Sequence, residues 1–186
     1  MSDEAEVARL QEPVTDDDHI SGPDDAPVTI VEYSDYQCPQ CWEAHRELKE
    51  LLKTHGDRVR FVFRHFPLIT HNPQALPAAK AAEAAGRQGK FWEMHNALFD
   101  SQGQVSDADI NRYAEEIGLD MARFHEDMED EAIEERIREG RVSGVRSGVH
   151  GTPTLFMNGI RFEAPPTYEW LVAGVEHFAE HHAHEH

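Results

Sequence analysis

Two cysteines three positions apart, Cys38 and Cys41, are the only thiols in the chain, in the run Tyr36-Gln37-Cys38-Pro39-Gln40-Cys41. Thiols at that spacing can close and reopen a short disulfide, so the chemistry to consider first is thiol-disulfide exchange. The run Val28-Thr29-Ile30-Val31-Glu32-Tyr33-Ser34 before them reads as a buried strand, and residues 42–52 carry apolar side chains at helical spacing. Cys38 therefore falls where strand hands over to helix. The unpaired N–H groups and positive dipole end of a helix favour an anion, so a thiol there loses its proton more easily than a free cysteine, whose pKa is about 8.5. Pro39 suits the first turn, where its missing N–H costs no hydrogen bond. Cys41 lies a turn further in, shielded by its own helix. Cys38 is thus expected to be the exposed, attacking sulfur and Cys41 the resolving one.

Other readings of the pair compete. Cys-x-x-Cys can be half of a zinc site, but four ligands are needed and His45 is the only local candidate to add. A purely structural disulfide over so small a loop removes little entropy from the unfolded chain. The order of strand, Cys-Pro-x-Cys and helix favours redox chemistry over both. Glu32 shares a side of its strand with Val28 and Ile30. Buried in that company its carboxyl is expected to have a raised pKa, which suits proton exchange with a nearby thiol; an edge position open to water is the alternative.

The elements that must hold these groups follow in order. His55-Gly56-Asp57 stops the helix, and residues 59–66 read as a second strand closed by Pro67. A βαβ unit with parallel strands and a right-handed crossover results. Residues 68–149 are helical in texture, with an alanine-rich face at Ala75, Ala78, Ala79, Ala82 and Ala85, then Phe91, Trp92, His95, Leu98 and Phe99 at helical spacing. Ser106 and Asp109 resemble a capping box, and Gly118 marks a stop. Met121, Phe124 and Met128 begin a fourth helix whose acidic run to Glu139 reads as a solvated face, with a kink expected at Gly140. Asn158-Gly159 between apolar runs signals a two-residue hairpin, and Pro153 belongs at a strand entry. Pro165 and Pro166 introduce a last helix, and the histidine-rich end reads as a frayed, exposed tail rather than a metal site.

Composition narrows the partners. Seventeen Lys+Arg against 36 Asp+Glu leave a formal charge of -19, which repels nucleic acid and anionic membrane surfaces, and no apolar run is long enough to span a bilayer. Residues 1–19 are polar and acidic and are expected to be mobile or loosely docked. Residues 1–11 lack the basic start and apolar core of a signal peptide, so the expectation is a cytoplasmic protein, exported only if a leader was removed.

Taken together, the chain resembles the DsbA family of thioredoxin-fold proteins over residues 20–180. The segments similar to family members are His19-Ile20-Ser21-Gly22-Pro23, the strand of residues 28–34, Phe63-Arg64-His65-Phe66-Pro67-Leu68, Gly89-Lys90-Phe91-Trp92-Glu93-Met94-His95 and Gly151-Thr152-Pro153-Thr154. The resemblance implies an α/β thioredoxin-like fold, βαβ then ββα, over residues 26–67 and 150–180. An all-helical insertion at 68–149, an acidic extension at 1–25 and a histidine-rich tail at 181–186 complete the chain. It also implies Cys38 as nucleophile, Cys41 as resolver, Glu32 as the buried acid and Thr152-Pro153 as a cis-proline loop that, with Pro39 and Gln40, meets substrate. No cofactor or metal is expected; the partners would be protein thiols and disulfides or small thiols. One departure is Gln40, because strongly oxidising members resemble Cys-Pro-His-Cys, whose imidazolium helps hold the thiolate. A kappa-type glutathione transferase or isomerase, and a metal-binding protein using Cys38, Cys41, His45 and the histidine-rich tail, are the alternative functions.

Overall fold

A computed structural model of the chain describes residues 8–184, with side chains as far as residue 181; the first seven residues and the last two of the histidine-rich tail lie outside that range. The runs VTIVEYS and VRFVFRH form β2 (Val28–Ser34) and β3 (Val59–His65), each buried at every position but the second. Burial on both faces is what the interior of a sheet demands. The order is β1-β3-β2-β4-β5, where β1 is His19–Ser21, β4 is Thr154–Met157 and β5 is Ile160–Arg161. Helix α1 (Pro39–His55) connects β2 to β3. The Val28 N–H donates to the Arg58 carbonyl at 3.2 Å, and the Phe66 N–H donates to the Ser34 carbonyl at 2.9 Å. The near-constant offset of partners at the two ends means the strands are parallel, as the crossover requires. β4 runs antiparallel to β2 with Glu32 opposite Leu155, and β5 antiparallel to β4. The tight turn between β4 and β5 is made by Asn158 (φ 49°) and Gly159 (φ 84°), the left-handed pair that a two-residue hairpin needs.

The chain forms two compact units. One comprises the chain up to Tyr33, Glu43–Arg64 and everything from Ser143 onward; the other comprises Ser34–Trp42 and His65–Val142. In the first, Ile30, Tyr33, Leu51, Val59, Phe156, Leu171 and Val175 are buried, so the sheet and α7 (Tyr168–His184) share an apolar core. In the second, α2 (Ala75–Arg87) packs against α3 (Phe91–Asp100), α4 (Asp107–Glu116) and α5 (Met121–Met128). Ala78, Ala79, Ala81, Ala82, Ala84 and Ala85 are all buried, and a helix buried on so much of its surface is the centre of its bundle. The capping box at α4 is present, with Ser106 and Asp109 each accepting from the other's backbone N–H.

Three expectations need correction. The described part of the acidic N-terminal segment, from residue 8 on, is pinned, not loose, because Arg64 spends all five of its N–H donors on it and on β2. Nε and Nη2 form a bidentate pair with Asp18 at 2.9 and 3.0 Å; the remaining donors reach the carbonyls of Glu12 and Pro13 and the Tyr33 hydroxyl. The Tyr33 hydroxyl, accepting from Arg64, shares a hydrogen bond with the Ser143 hydroxyl at 2.7 Å. Further back, Leu10 N–H donates to Gly159 and Arg161 N–H donates to Ala8, extending the sheet beyond β5. The expected fourth helix is two, α5 and α6 (Glu131–Arg146), because Asp130 caps the second by accepting from Ala132 N–H at 2.8 Å. Gly140 does not divide α6. It lets the helix pass close to β3, since a Cβ there would stand 3.0 Å from the His65 carbonyl oxygen.

Candidate active site

The dithiol segment is built within the second unit. After β2 the chain turns through Asp35, Tyr36 and Gln37, and Cys38 is the residue at which α1 starts: its carbonyl accepts from Cys41 N–H at 3.0 Å and Trp42 N–H at 3.2 Å. Pro39 is the first helical residue, as its missing N–H predicts. Both cysteines are buried. Cys41 is 0% exposed and Cys38 4%, so the expectation of an exposed Cys38 is corrected: both residues are buried, Cys38 the less completely. Part of that cover is local. The Cys38 thiol donates to Gln40 Oε1 at 3.3 Å, while Pro39 and Gln40 are themselves exposed.

The turn ahead of the nucleophile is fixed by contacts that no local pattern announces. Asp35 is buried, and its Oδ1 accepts from Gln37 N–H at 2.8 Å, while Oδ2 accepts from Leu68 N–H and Asn72 Nδ2, each at 2.9 Å. The Cys38 N–H donates to the Asp35 carbonyl at 3.1 Å. Tyr36 is buried against Phe99, ring centroids 4.6 Å apart, and its hydroxyl bonds His95 Nδ1 at 2.8 Å. The Trp42 indole N–H closes the turn by donating to the Tyr36 carbonyl at 2.7 Å. A stretch far along the chain, with Phe91 stacked on His95, thus serves as the bed for Tyr36. The sequence signals for Asp35 and His95 are a polar residue at a strand end and a histidine on an apolar helix face. Neither spacing reveals a partner more than 30 residues away.

The remaining expected site residues belong to the first unit. Glu32 lies on β2 and is 1% exposed, which selects the buried alternative over the edge. Thr152 and Pro153 lead into β4, and the bond between them is cis. Since Tyr33 faces Thr154 in the sheet register, Glu32 lies on the strand paired with the one that the cis bond leads into. His45 is buried on α1. In the second unit, Glu83 uses one oxygen on His65 Nε2 at 2.8 Å and the other on Arg136 Nε at 2.9 Å, so that carboxylate serves internal pairs. Among the described residues no helix is long and apolar enough to cross a membrane.

Comparison with known proteins agrees with this architecture. A family model described as thioredoxin matches residues 14–177. A thioredoxin-like oxidoreductase of Silicibacter pomeroyi is 29% identical, with a TM-score of 0.79 over 88% of this chain and 92% of that one. The thiol-disulfide exchange protein alpha-DsbA2 of Wolbachia pipientis is 27% identical, with a TM-score of 0.72 over 85% of each chain. In sequence, a Salinispora tropica protein named Na(+)/H(+) antiporter NhaA 3 is 46% identical over 170 residues, which are 91% of this chain and 26% of that protein. The chain therefore spans about a quarter of the length of the curated relatives it matches. With a family match over most of its length and a Cys-Pro-Gln-Cys turn at the start of α1, the chain belongs to the thioredoxin family and has the fold of its DsbA-type thiol-disulfide oxidoreductases.

Proposed function

We propose that the protein exchanges disulfides with protein or small-molecule thiols, Cys38 acting as nucleophile and Cys41 as resolver, with no bound cofactor. The observation that carries this reading is the dithiol turn itself, with Cys38 at the start of α1 and Cys41 fully buried one turn on. The Cys38 thiolate attacks one sulfur of a substrate disulfide; that bond breaks, a mixed disulfide forms and one substrate thiolate leaves. The Cys41 thiolate then attacks Cys38, closing the 38–41 disulfide and releasing the second thiolate. Two electrons have passed from the dithiol to the substrate, and the reverse sequence oxidises a substrate dithiol. Glu32 handles the proton of Cys41, and Pro39, Gln40, Thr152 and Pro153 meet the substrate backbone. The direction is toward reduction. Gln40 is a neutral acceptor at 3.3 Å from the Cys38 sulfur and supplies no cation to stabilise its thiolate, and a reduced form without that stabilisation gives up its electrons more readily. Antiport is not part of the proposal, because the matched region is a quarter of the proteins so named.

The test pairs two variants on a non-reducing gel. Cys41→Ser accumulates disulfide-linked partners on Cys38, and Cys38→Ser traps almost none; equal trapping by both, or by neither, refutes the division of roles. A glutathione-using enzyme with one essential residue retains activity in one of the variants, and a metal protein loses a stoichiometric ion in both. Equilibration against glutathione is expected to give a potential nearer about -270 mV than about -120 mV.

A further inference from the structure

Asp35 is not one of the sulfur chemists, yet its oxygens hold the backbone from which the nucleophile hangs. Its carboxylate accepts three N–H bonds and its carbonyl accepts the N–H of Cys38 itself. The two donors on Oδ2 come from Leu68 and Asn72, the ends of a turn that is closed again by the N–H groups of His71 and Asn72 on the Leu68 carbonyl. A second strap runs alongside. Gln37 Oε1 accepts from Gln74 N–H at 2.8 Å, and Gln74 Nε2 donates to Val105 and Asp107. Cys41 is fixed by its helix; Cys38, at the helix boundary, is held from upstream by these bonds.

We propose that Asp35 is a positioning residue for disulfide exchange, which by clamping the Gln37–Cys38 backbone sets the effective concentration at which Cys41 meets the Cys38 sulfur. The inference rests on the exchange reaction proposed above. With glutathione disulfide as probe, the Cys38 thiolate takes one glutathione and expels the other as thiolate. Cys41 then attacks Cys38, expels the second glutathione thiolate and forms the 38–41 bond, so two electrons go from the dithiol to the glutathione disulfide. The second step is intramolecular, and its equilibrium constant reports how well the two sulfurs are held together. Cys38 is disulfide-bonded on both sides of that equilibrium, so a change in charge beside its thiolate does not enter. Asp35→Asn keeps the size of the side chain but sets an NH2 group against N–H donors on one side or the other. Asn72→Ala keeps the carboxylate and removes a single donor.

Wild type, Asp35→Asn and Asn72→Ala are equilibrated with reduced and oxidised glutathione and quenched in acid. Dithiol, glutathionylated protein and 38–41 disulfide are then counted by mass spectrometry, with circular dichroism and a thermal melt for each. Asp35→Asn is expected to lower the effective concentration about tenfold and to accumulate protein glutathionylated on Cys38; Asn72→Ala moves the same way by about threefold. A folded Asp35→Asn protein with a lower melting temperature but the wild-type distribution of species has lost a merely structural contact, and the proposal is overturned. Should Asp35→Asn not fold, Asn72→Ala decides: the wild-type distribution there overturns the proposal as well. A wild type that never forms the 38–41 disulfide refutes the exchange function itself, a result distinct from either.

Discussion

Replacing Arg64 by Met deletes the group that ties the N-terminal segment to the sheet. Arg64 is 8% exposed and the Asp18 side chain 13%, so the pair is largely out of water on both sides. Its five hydrogen bonds keep the guanidinium charged, with a pKa raised although burial alone pulls it down; Asp18 and Tyr33 are the opposing causes. Removing one partner of such a pair typically costs about 3–5 kcal/mol, because a carboxylate is left behind without its counter-charge. Asp18, Glu12 and Pro13 belong to a segment that can peel back into water, which places the expected loss at the lower end, about 3 kcal/mol. In a chain of this length that is a fall in melting temperature of roughly 6–12 °C. Arg64→Lys keeps the charge but not the fork, and is expected to lose about 2 kcal/mol. The assay is urea unfolding followed by tryptophan fluorescence, with limited proteolysis of the N-terminal segment in native buffer. A loss below about 1 kcal/mol, with the segment still protected from protease, would show that the five bonds merely replace equivalent bonds to water.

Glu32→Gln removes a buried carboxyl from β2 while keeping its shape; turnover is expected to slow at least about tenfold and to lose one limb of its pH profile, and an unchanged profile would leave Glu32 with a structural role only. Asp109 is held below the usual carboxylate range by the Ser106 side chain and Asp130 by its hydrogen bond to Arg87. A depressed folded pKa adds stability above the unfolded value of about 3.9, and that stability is lost as pH falls through the folded value. Asp109→Asn and Asp130→Asn are therefore less stable than wild type at pH 7 and converge with it in acid, as melts between neutrality and about pH 2 would show; a gap that persists in strong acid contradicts the assignment. A formal charge of -19 predicts that added salt raises the melting temperature, and a flat or falling series counts against charge repulsion as a destabilising force.

What could be read ahead of the structure was governed by how local its cause is. The dithiol at a strand-to-helix boundary, the Asn158-Gly159 hairpin, the Ser106 box and the buried alanine helix each follow from side chains within a few residues of one another, and all stand as expected. β1 did not announce itself, because three residues with no alternation carry no period to detect. The N-terminal segment reads as acidic and polar, and only the fifty-residue reach of Arg64 shows why it stays in place. The same holds for Asp130. Within a run of acids it looks like one more solvated charge until Arg87 and the N–H of Ala132 are found on its two oxygens. Asp35 is the sharpest case: read locally, it is a negative charge near a thiol that should ionise. In place, it is a clamp whose partners lie beyond β3.

The dithiol segment Ser34–Trp42 is grouped with His65–Val142 and not with the strand that leads into it. Protein chains open in cooperative blocks, and an amide exchanges its hydrogen at the rate at which its own block opens. The backbone amides around Cys38 and Cys41 are accordingly expected to share the protection of α2 and α3, to which Gln37 and Tyr36 bond through Gln74 and His95. Destabilising the alanine helix would loosen the reactive turn while β2 and β3 remain closed. A lesion in the helical bundle would then appear in the cell as a thiol that reacts indiscriminately, long before it appears as an unfolded protein.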